Sequence, residues 1–301
     1  MRPFLTRLFT DREIIRLPGG AAGQTLIGRM IAWGRTREVR ENYARIGGGS
    51  PIVRWTASQG RGLVERLRAR GHDVTFAMAM RYWNPTTDAA VDELIRAGVD
   101  RLLSLTLYPH YSMATTGSSV AELLRVLERR RISLPLERID AWYDHPGYLD
   151  ALALRTKEAL ARFPPGSAPT ILISAHGLPK HFIEGGDPYC DHIRVTMEGV
   201  LARLPRLPHA LAYQSRVGPV EWIGPSTEAM LKRLAREGVK ELLVLPISFV
   251  SDHIETLYEV DMLYADQARA LGITTFRRVE GLNDFPPFLD ALADLVAPKV
   301  A

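Results

Sequence analysis

Residues 170–179 read TILISAHGLP. The run Thr170–Ser174 is uncharged and mostly apolar or β-branched, the kind of stretch that a parallel sheet buries on both faces. The Gly-Leu-Pro that follows takes the chain out of the strand. A histidine at that break, His176, is held on rigid backbone at the strand's C-terminal end, where open α/β sheets bind their ligands. Imidazole there binds a metal or moves protons near neutral pH, unless it is a partly buried ring bonded to a nearby carbonyl.

Working outward, similar short runs at Val74–Met78, Arg101–Thr106, Glu241–Pro246 and Thr274–Arg277 predict further buried strands. Between them, apolar residues three and four apart predict helices over 54–70, 87–97, 118–130, 148–163, 191–201, 226–237, 254–271 and 285–296. The alternation is β-α-β-α, which predicts an α/β fold with parallel sheets and helices on both faces. The turn-rich FPPGSAP at 163–169 marks the boundary between two lobes. The expected division is an N-terminal α/β lobe over 1–166, rejoined by a C-terminal helix in 283–301, and a C-terminal α/β lobe over 167–282.

Composition narrows the function. With 301 residues, 46% hydrophobic and 24% charged, the chain is neither disordered nor collagenous, and it is long enough for two cores. A single cysteine, Cys190, excludes an internal disulfide, a CxxC redox pair and a four-thiolate iron–sulfur cluster, so a metal must be held by histidine and carboxylate. It also fits a reducing, cytoplasmic compartment. No run approaches the length of a membrane span, and the first residues carry charge throughout instead of a signal-peptide core. Residues 1–150 hold 22 Arg against 16 acids, but no basic run interleaved with aromatics marks a nucleic-acid groove.

Three more strand ends carry chemistry. In SDHIETLYE at 251–259, Glu255 and Glu259 lie one turn apart with Asp252 and His253 at the mouth. Such a set suits a borderline divalent ion such as Fe(II), or proton transfer; Asp252 and Glu255 also have capping-box spacing. In YPHYSMATTGSS at 108–119, hydroxyls and free amides would receive a carboxylate, while Ser119 and Glu122 have capping-box spacing of their own. In QSRVGPVEWIGP at 214–225, two Gly-Pro turns bracket Trp222, a large ring set to pack on a lobe or on a flat ligand.

Taken together, MRYWNP at 80–85, YPHYSMATTGSS, SAHGLP at 174–179 with GDPY at 186–189, QSRVGPVEWIGP and SFVSDHIETLYEVD at 248–261 resemble the ferrochelatase family essentially end to end. The resemblance implies two Rossmann-like lobes of the chelatase type gripping a porphyrin in the cleft between them. The implied reaction is insertion of Fe(II) into a dicarboxylate porphyrin with release of two protons, in haem biosynthesis. Iron is then a substrate, and no cofactor is required. Protoporphyrin IX stands ahead of coproporphyrin III. Two other readings are a porphyrin- or haem-binding carrier without catalysis and a chelatase placing cobalt or nickel in another tetrapyrrole.

Carried onto matching positions, the resemblance makes His176 and Glu255 the catalytic pair and the metal-contacting residues. His176 serves as proton acceptor and metal ligand in sequence, because both tasks need the same neutral imidazole. Phe249, Asp252 and His253 form a supporting shell, Trp222 packs on the macrocycle, and Tyr108, Ser112, Thr116 and Arg125 stand nearer the porphyrin edge. Glu259 continues the acidic row, which Leu263 interrupts one turn further on. Family members usually carry a strand and a Gly-Pro loop ahead of the RPFL segment. Met1 stands at that segment here, so the N-terminal sheet is expected to lack its first strand. The expected protein is a cytoplasmic monomer, compatible with peripheral contact at the inner membrane face.

Overall fold

The computed structural model describes residues 1–12, 14, 15, 17–216 and 220–300, so Val217 and the expected turn at Gly218-Pro219 lie outside the described residues. The C-terminal lobe is built on four strands, β3 (Thr170–His176), β4 (His209–Gln214), β5 (Glu241–Pro246) and β6 (Thr275–Arg278), while β1 (Leu102–Leu105) and β2 (Leu136–Ile139) belong to the N-terminal lobe. The larger sheet has the order β4-β3-β5-β6 and is parallel throughout, with Ile171 opposite His209 on one side and Leu243 on the other.

Burial along β3 explains the sheet. Ile171, Ile173 and Ala175 join one apolar cluster with Leu243, Leu245, Leu149, Ile193 and Phe288. Leu172 faces the opposite way, into a second cluster with Leu242, Val244, Leu231, Leu234 and Val260. Each fully buried aliphatic side chain of this kind contributes about 1.5–3 kcal/mol, and here both faces receive it, which is why the strand reads as a continuous apolar run.

In the N-terminal lobe β1 and β2 pair in parallel, with Leu102 opposite Leu136. The helices are α1 (Arg2–Thr10), α2 (Gly20–Arg45), α3 (Ile52–Ala69), α4 (Thr87–Arg96), α5 (Ser118–Arg129) and α6 (Pro146–Leu160). The other lobe contributes α7 (Lys180–Glu184), α8 (Tyr189–Leu201), α9 (Thr227–Arg236) and α10 (Ala265–Ala270), and the chain closes with α11 (Pro286–Val300). Helix α11 returns to pack on α3 and α6, and Arg66 and Arg70 pair with Asp290 and Asp294 at 2.5 and 2.8 Å.

The structure departs from the sequence pattern in several places; β2, β4 and α7 match none of the expected elements. Val74–Met78 is assigned to no strand and joins neither sheet among the described residues. Helices α1 and α2, absent from the apolar spacing, form a hairpin tied by the buried Gln24, whose Nε2 donates to the carbonyls of Phe9 and Ile15 at 2.9 and 2.8 Å. Gly28 is required there, since a Cβ would fall 2.6 Å from the Phe9 carbonyl oxygen. Finally, the helix expected over 254–271 begins as a π-helix, Glu255–Tyr264, and becomes α-helical only at α10. A second π-helical turn, Met113–Gly117, precedes α5.

Candidate active site

β3 ends at His176, whose position is locked on both sides of its peptide. Its amide donates to Ser248 Oγ at 3.1 Å and its carbonyl accepts the Tyr189 hydroxyl at 3.0 Å. Tyr189 and Ser248 are themselves bonded at 2.7 Å. Beyond His176 the chain passes Gly177, where a Cβ would lie 2.7 Å from the Gln214 carbonyl oxygen and 3.2 Å from the Trp222 ring. That glycine is what lets Trp222 close down against the strand end, helped by a bridge between Pro179 and Trp222.

The imidazole Nδ1 of His176 lies 2.7 Å from Oε2 of Glu255, the first residue of the π-helix. With the ring neutral, Nδ1 carries the hydrogen and donates it to the carboxylate, which leaves the Nε2 lone pair for the cleft. Burial opposes charge on His176, but the charge and hydrogen bond of Glu255, with the charge of Glu259, outweigh it and raise its pKa above the usual 6.5. Burial likewise opposes charge on Glu255, and His176 and His253 overcome it, holding that carboxyl well below the usual range. Glu259 is pushed up to about 7 by burial and by the charge of Glu255. His253 Nε2 stands 3.8 Å from Oε1 of Glu255, and its Nδ1 donates to the Ser251 carbonyl at 3.0 Å. Phe249 lies edge-on to both histidine rings, with centroids 6.0 and 4.5 Å away.

These groups line a cleft of about 3420 Å³ between the lobes. Its other wall includes Arg35, Tyr43 and Tyr108, and it continues into the N-terminal lobe beside residues 72–80. Among the described residues no three His, Cys, Asp or Glu side chains converge as a closed metal-binding set. An imidazole braced by one carboxylate, with a second acid one turn away, suits proton transfer and transient contact with a divalent cation.

The sequence model of the ferrochelatase family matches residues 1–300. The chain belongs to the ferrochelatase family. It is 50% identical over 296 residues, 98% of this chain and 92% of the other, to a ferrochelatase of Geotalea daltonii. To a ferrochelatase of Synechococcus sp. strain CC9311 it is 46% identical over 306 residues, 99% of this chain and 78% of the other. Among solved structures, SirB from Bacillus subtilis with Fe3+ superimposes with a TM-score of 0.58 at 13% identity, over 82% of this chain and 90% of that one, which is a likeness of fold.

The geometry sorts the residues that the ferrochelatase resemblance singled out. His176, Glu255, Glu259, Phe249, His253, Trp222 and Tyr108 all line the cleft. Asp252 stands behind it: its carboxylate takes Arg278 at 2.7 Å, Thr256 at 3.1 Å and Asn283 at 2.9 Å, which pins the start of the π-helix. The capping box of Asp252 with Glu255 is not made, because Glu255 turns to His176 instead. Ser112 and Thr116 also border the cleft but are fully buried, with their hydroxyls engaged by Asp187 at 2.8 Å and Thr106 at 3.3 Å. Arg125 lies outside the cleft lining and pairs with Glu122 at 3.2 Å on α5; Ser119 lies inside that helix, so its capping box with Glu122 is not made either.

Sequence reasoning passed over Ser215, Gln214 and Tyr43. Ser215 and Gln214 sit in the quoted 214–225 motif, where only the tryptophan drew notice. Tyr43 lies on α2, which carries no apolar period, and its hydroxyl is pushed up to about 12 by burial and by the charge of Glu255.

Proposed function

We propose that the protein inserts Fe(II) into a porphyrin, the dicarboxylate protoporphyrin IX ahead of the tetracarboxylate coproporphyrin III. The observation that carries this reading is the 2.7 Å contact between His176 and Glu255 at the mouth of β3, inside a cleft large enough for a macrocycle. The reaction exchanges two pyrrole N–H protons for one Fe(II) and moves no electrons, so it needs no redox cofactor. Neutral His176 accepts the two pyrrole protons one after the other at Nε2 and passes each to solvent water, with Glu255 holding the ring and stabilising the imidazolium that forms. Once the imidazole is neutral again, the same nitrogen is available to the iron. Trp222 and the opposite wall grip the ring, and a pocket that bends it exposes the pyrrole lone pairs.

The reading places the protein in the cytoplasm as a monomer, with the cleft formed within one chain. Peripheral contact with a membrane is supported by α2, whose exposed face carries Leu26, Met30 and Trp33 at 65%, 63% and 70% exposure. Arg29, Arg37 and Arg40 flank them, an arrangement suited to an anionic bilayer surface. Among the described residues no helix is long and apolar enough to cross a membrane.

An anaerobic Fe(II)-insertion assay with both porphyrins tests the proposal. Turnover with protoporphyrin IX exceeding that with coproporphyrin III is expected. Stoichiometric porphyrin binding without metallation would overturn it in favour of a carrier.

A further inference from the structure

Ser215 follows directly on β4 with a φ of +66°, in the left-handed region that a residue with a Cβ enters at a cost. That conformation brings its hydroxyl to the cleft side of the π-helix. Oγ lies 2.8 Å from Oε2 of Glu255 and 2.6 Å from Oε2 of Glu259, so one oxygen joins two carboxylates a helical turn apart. Gln214 steadies the same place. Its Oε1 accepts from Ser174 at 2.6 Å, which orients the amide, and its Nε2 then donates to the Glu255 carbonyl at 3.1 Å. Two consecutive residues at the end of β4 therefore hold the start of the π-helix, but only Ser215 reaches both acids closely.

A serine hydroxyl has a single hydrogen to donate. With both carboxylates ionised it serves one at a time, and the other is left facing lone pairs and open to a cation. We propose that Ser215 is a positioning residue for iron insertion: its hydroxyl turns between Glu255 and Glu259, keeping Glu255 aimed at His176 and presenting the two carboxylates to Fe(II) in turn. The inference rests on the reading that His176 and Glu255 are the reacting pair.

Two variants of the full chain separate the hydroxyl from the backbone. Ser215→Ala removes the hydroxyl and keeps the strain; Ser215→Gly removes the hydroxyl and relieves the strain. Loss of one hydrogen bond to a charged group corresponds to about tenfold, so both variants are expected to lower kcat by about that factor. Porphyrin affinity, read from the absorption titration, is expected to stay within about twofold, since the pocket walls are untouched. Nitrogen-15 NMR of the imidazole is expected to show the protected Nδ1–H of His176 in the unmutated protein and its loss in both variants.

A Gly variant with full kcat would overturn the inference, because the hydroxyl would then be dispensable. Parallel loss of porphyrin affinity and kcat would overturn it as well, in favour of a structural role. Should the unmutated protein insert no iron, the proposed function itself fails, and the NMR signal decides Ser215 alone: loss in both variants supports it and persistence overturns it.

Discussion

Ser112 of the N-terminal lobe donates its hydroxyl to Asp187 of the C-terminal lobe at 2.8 Å, with both side chains buried. Asp187 also accepts the amides of Met113 at 2.7 Å and Tyr189 at 3.0 Å, so one carboxylate fastens a π-helical turn to the start of α8. Ser112→Ala leaves the charge with one donor fewer and is expected to lower stability by about 1–3 kcal/mol. Porphyrin specificity should hold, because the hydroxyl is spent on the lobe contact. Chemical denaturation together with a comparison of the two porphyrins checks both halves.

His176→Ala should abolish iron insertion while porphyrin still binds. The variant removes the proton acceptor but leaves Trp222 and the opposite wall in place. General-base loss alone is worth about 10²- to 10⁴-fold in rate, and near-normal turnover would sink the assignment.

The pH profile follows from the same pair. Insertion needs Nε2 free of its proton, so activity rises with pH as the imidazolium titrates, and the midpoint lies above 6.5 because Glu255 outweighs burial. Glu255→Gln removes the dominant attraction and leaves burial, which acts in the other direction. The acidic limb of kcat/KM is expected to move downward in that variant. For folding, the raised His176 pKa stabilises below 6.5 and that contribution is lost as pH climbs through the folded value. Glu255, lowered, stabilises above 4.5 and loses that contribution only as pH falls through its folded value.

Glu259 gives the opposite sign from Glu255. Its carboxyl is raised from 4.5 to about 7, so the folded state increasingly resents ionisation as pH climbs through that interval. Glu259→Gln, which stays neutral, should become more stable than the unmutated protein by up to about 1.4 kcal/mol per pH unit over that range. Thermal melts at pH 5 and pH 8 measure it; an equal difference at the two would contradict the raised value.

Trp222→Ala should weaken porphyrin binding by about tenfold and change the absorption of the bound ring, as the loss of a large aromatic contact does. Unchanged affinity and spectrum would remove Trp222 from the macrocycle's surroundings.

What the sequence made legible follows from burial. β3 and β5 are covered on both faces, so continuous apolar runs announced them. β2 is LERI and shows no such run, so the sheet, not the segment, makes it a strand; β4 carries the short apolar stretch Ala210–Tyr213, which the pattern leaves unassigned. Val74–Met78 fails in the opposite sense, since a strand needs a neighbour as well as a pattern. In the site, His176 and Glu255 stand 79 positions apart, and motif order alone brought them together on paper. Ser215 escaped notice because its importance lies in a positive φ, which no residue-type pattern at serine reveals.

His176 and Glu255, together with Ser215 and Trp222, hang entirely from the larger sheet and the loops that leave it, whereas Arg35, Tyr43 and Tyr108 come from the other lobe. A hinge movement between lobes would therefore alter how tightly a ring is clasped without altering the 2.7 Å contact between His176 and Glu255. The clasp and the pair are thus separable: one lobe is free to shift or change while the other keeps His176 against Glu255.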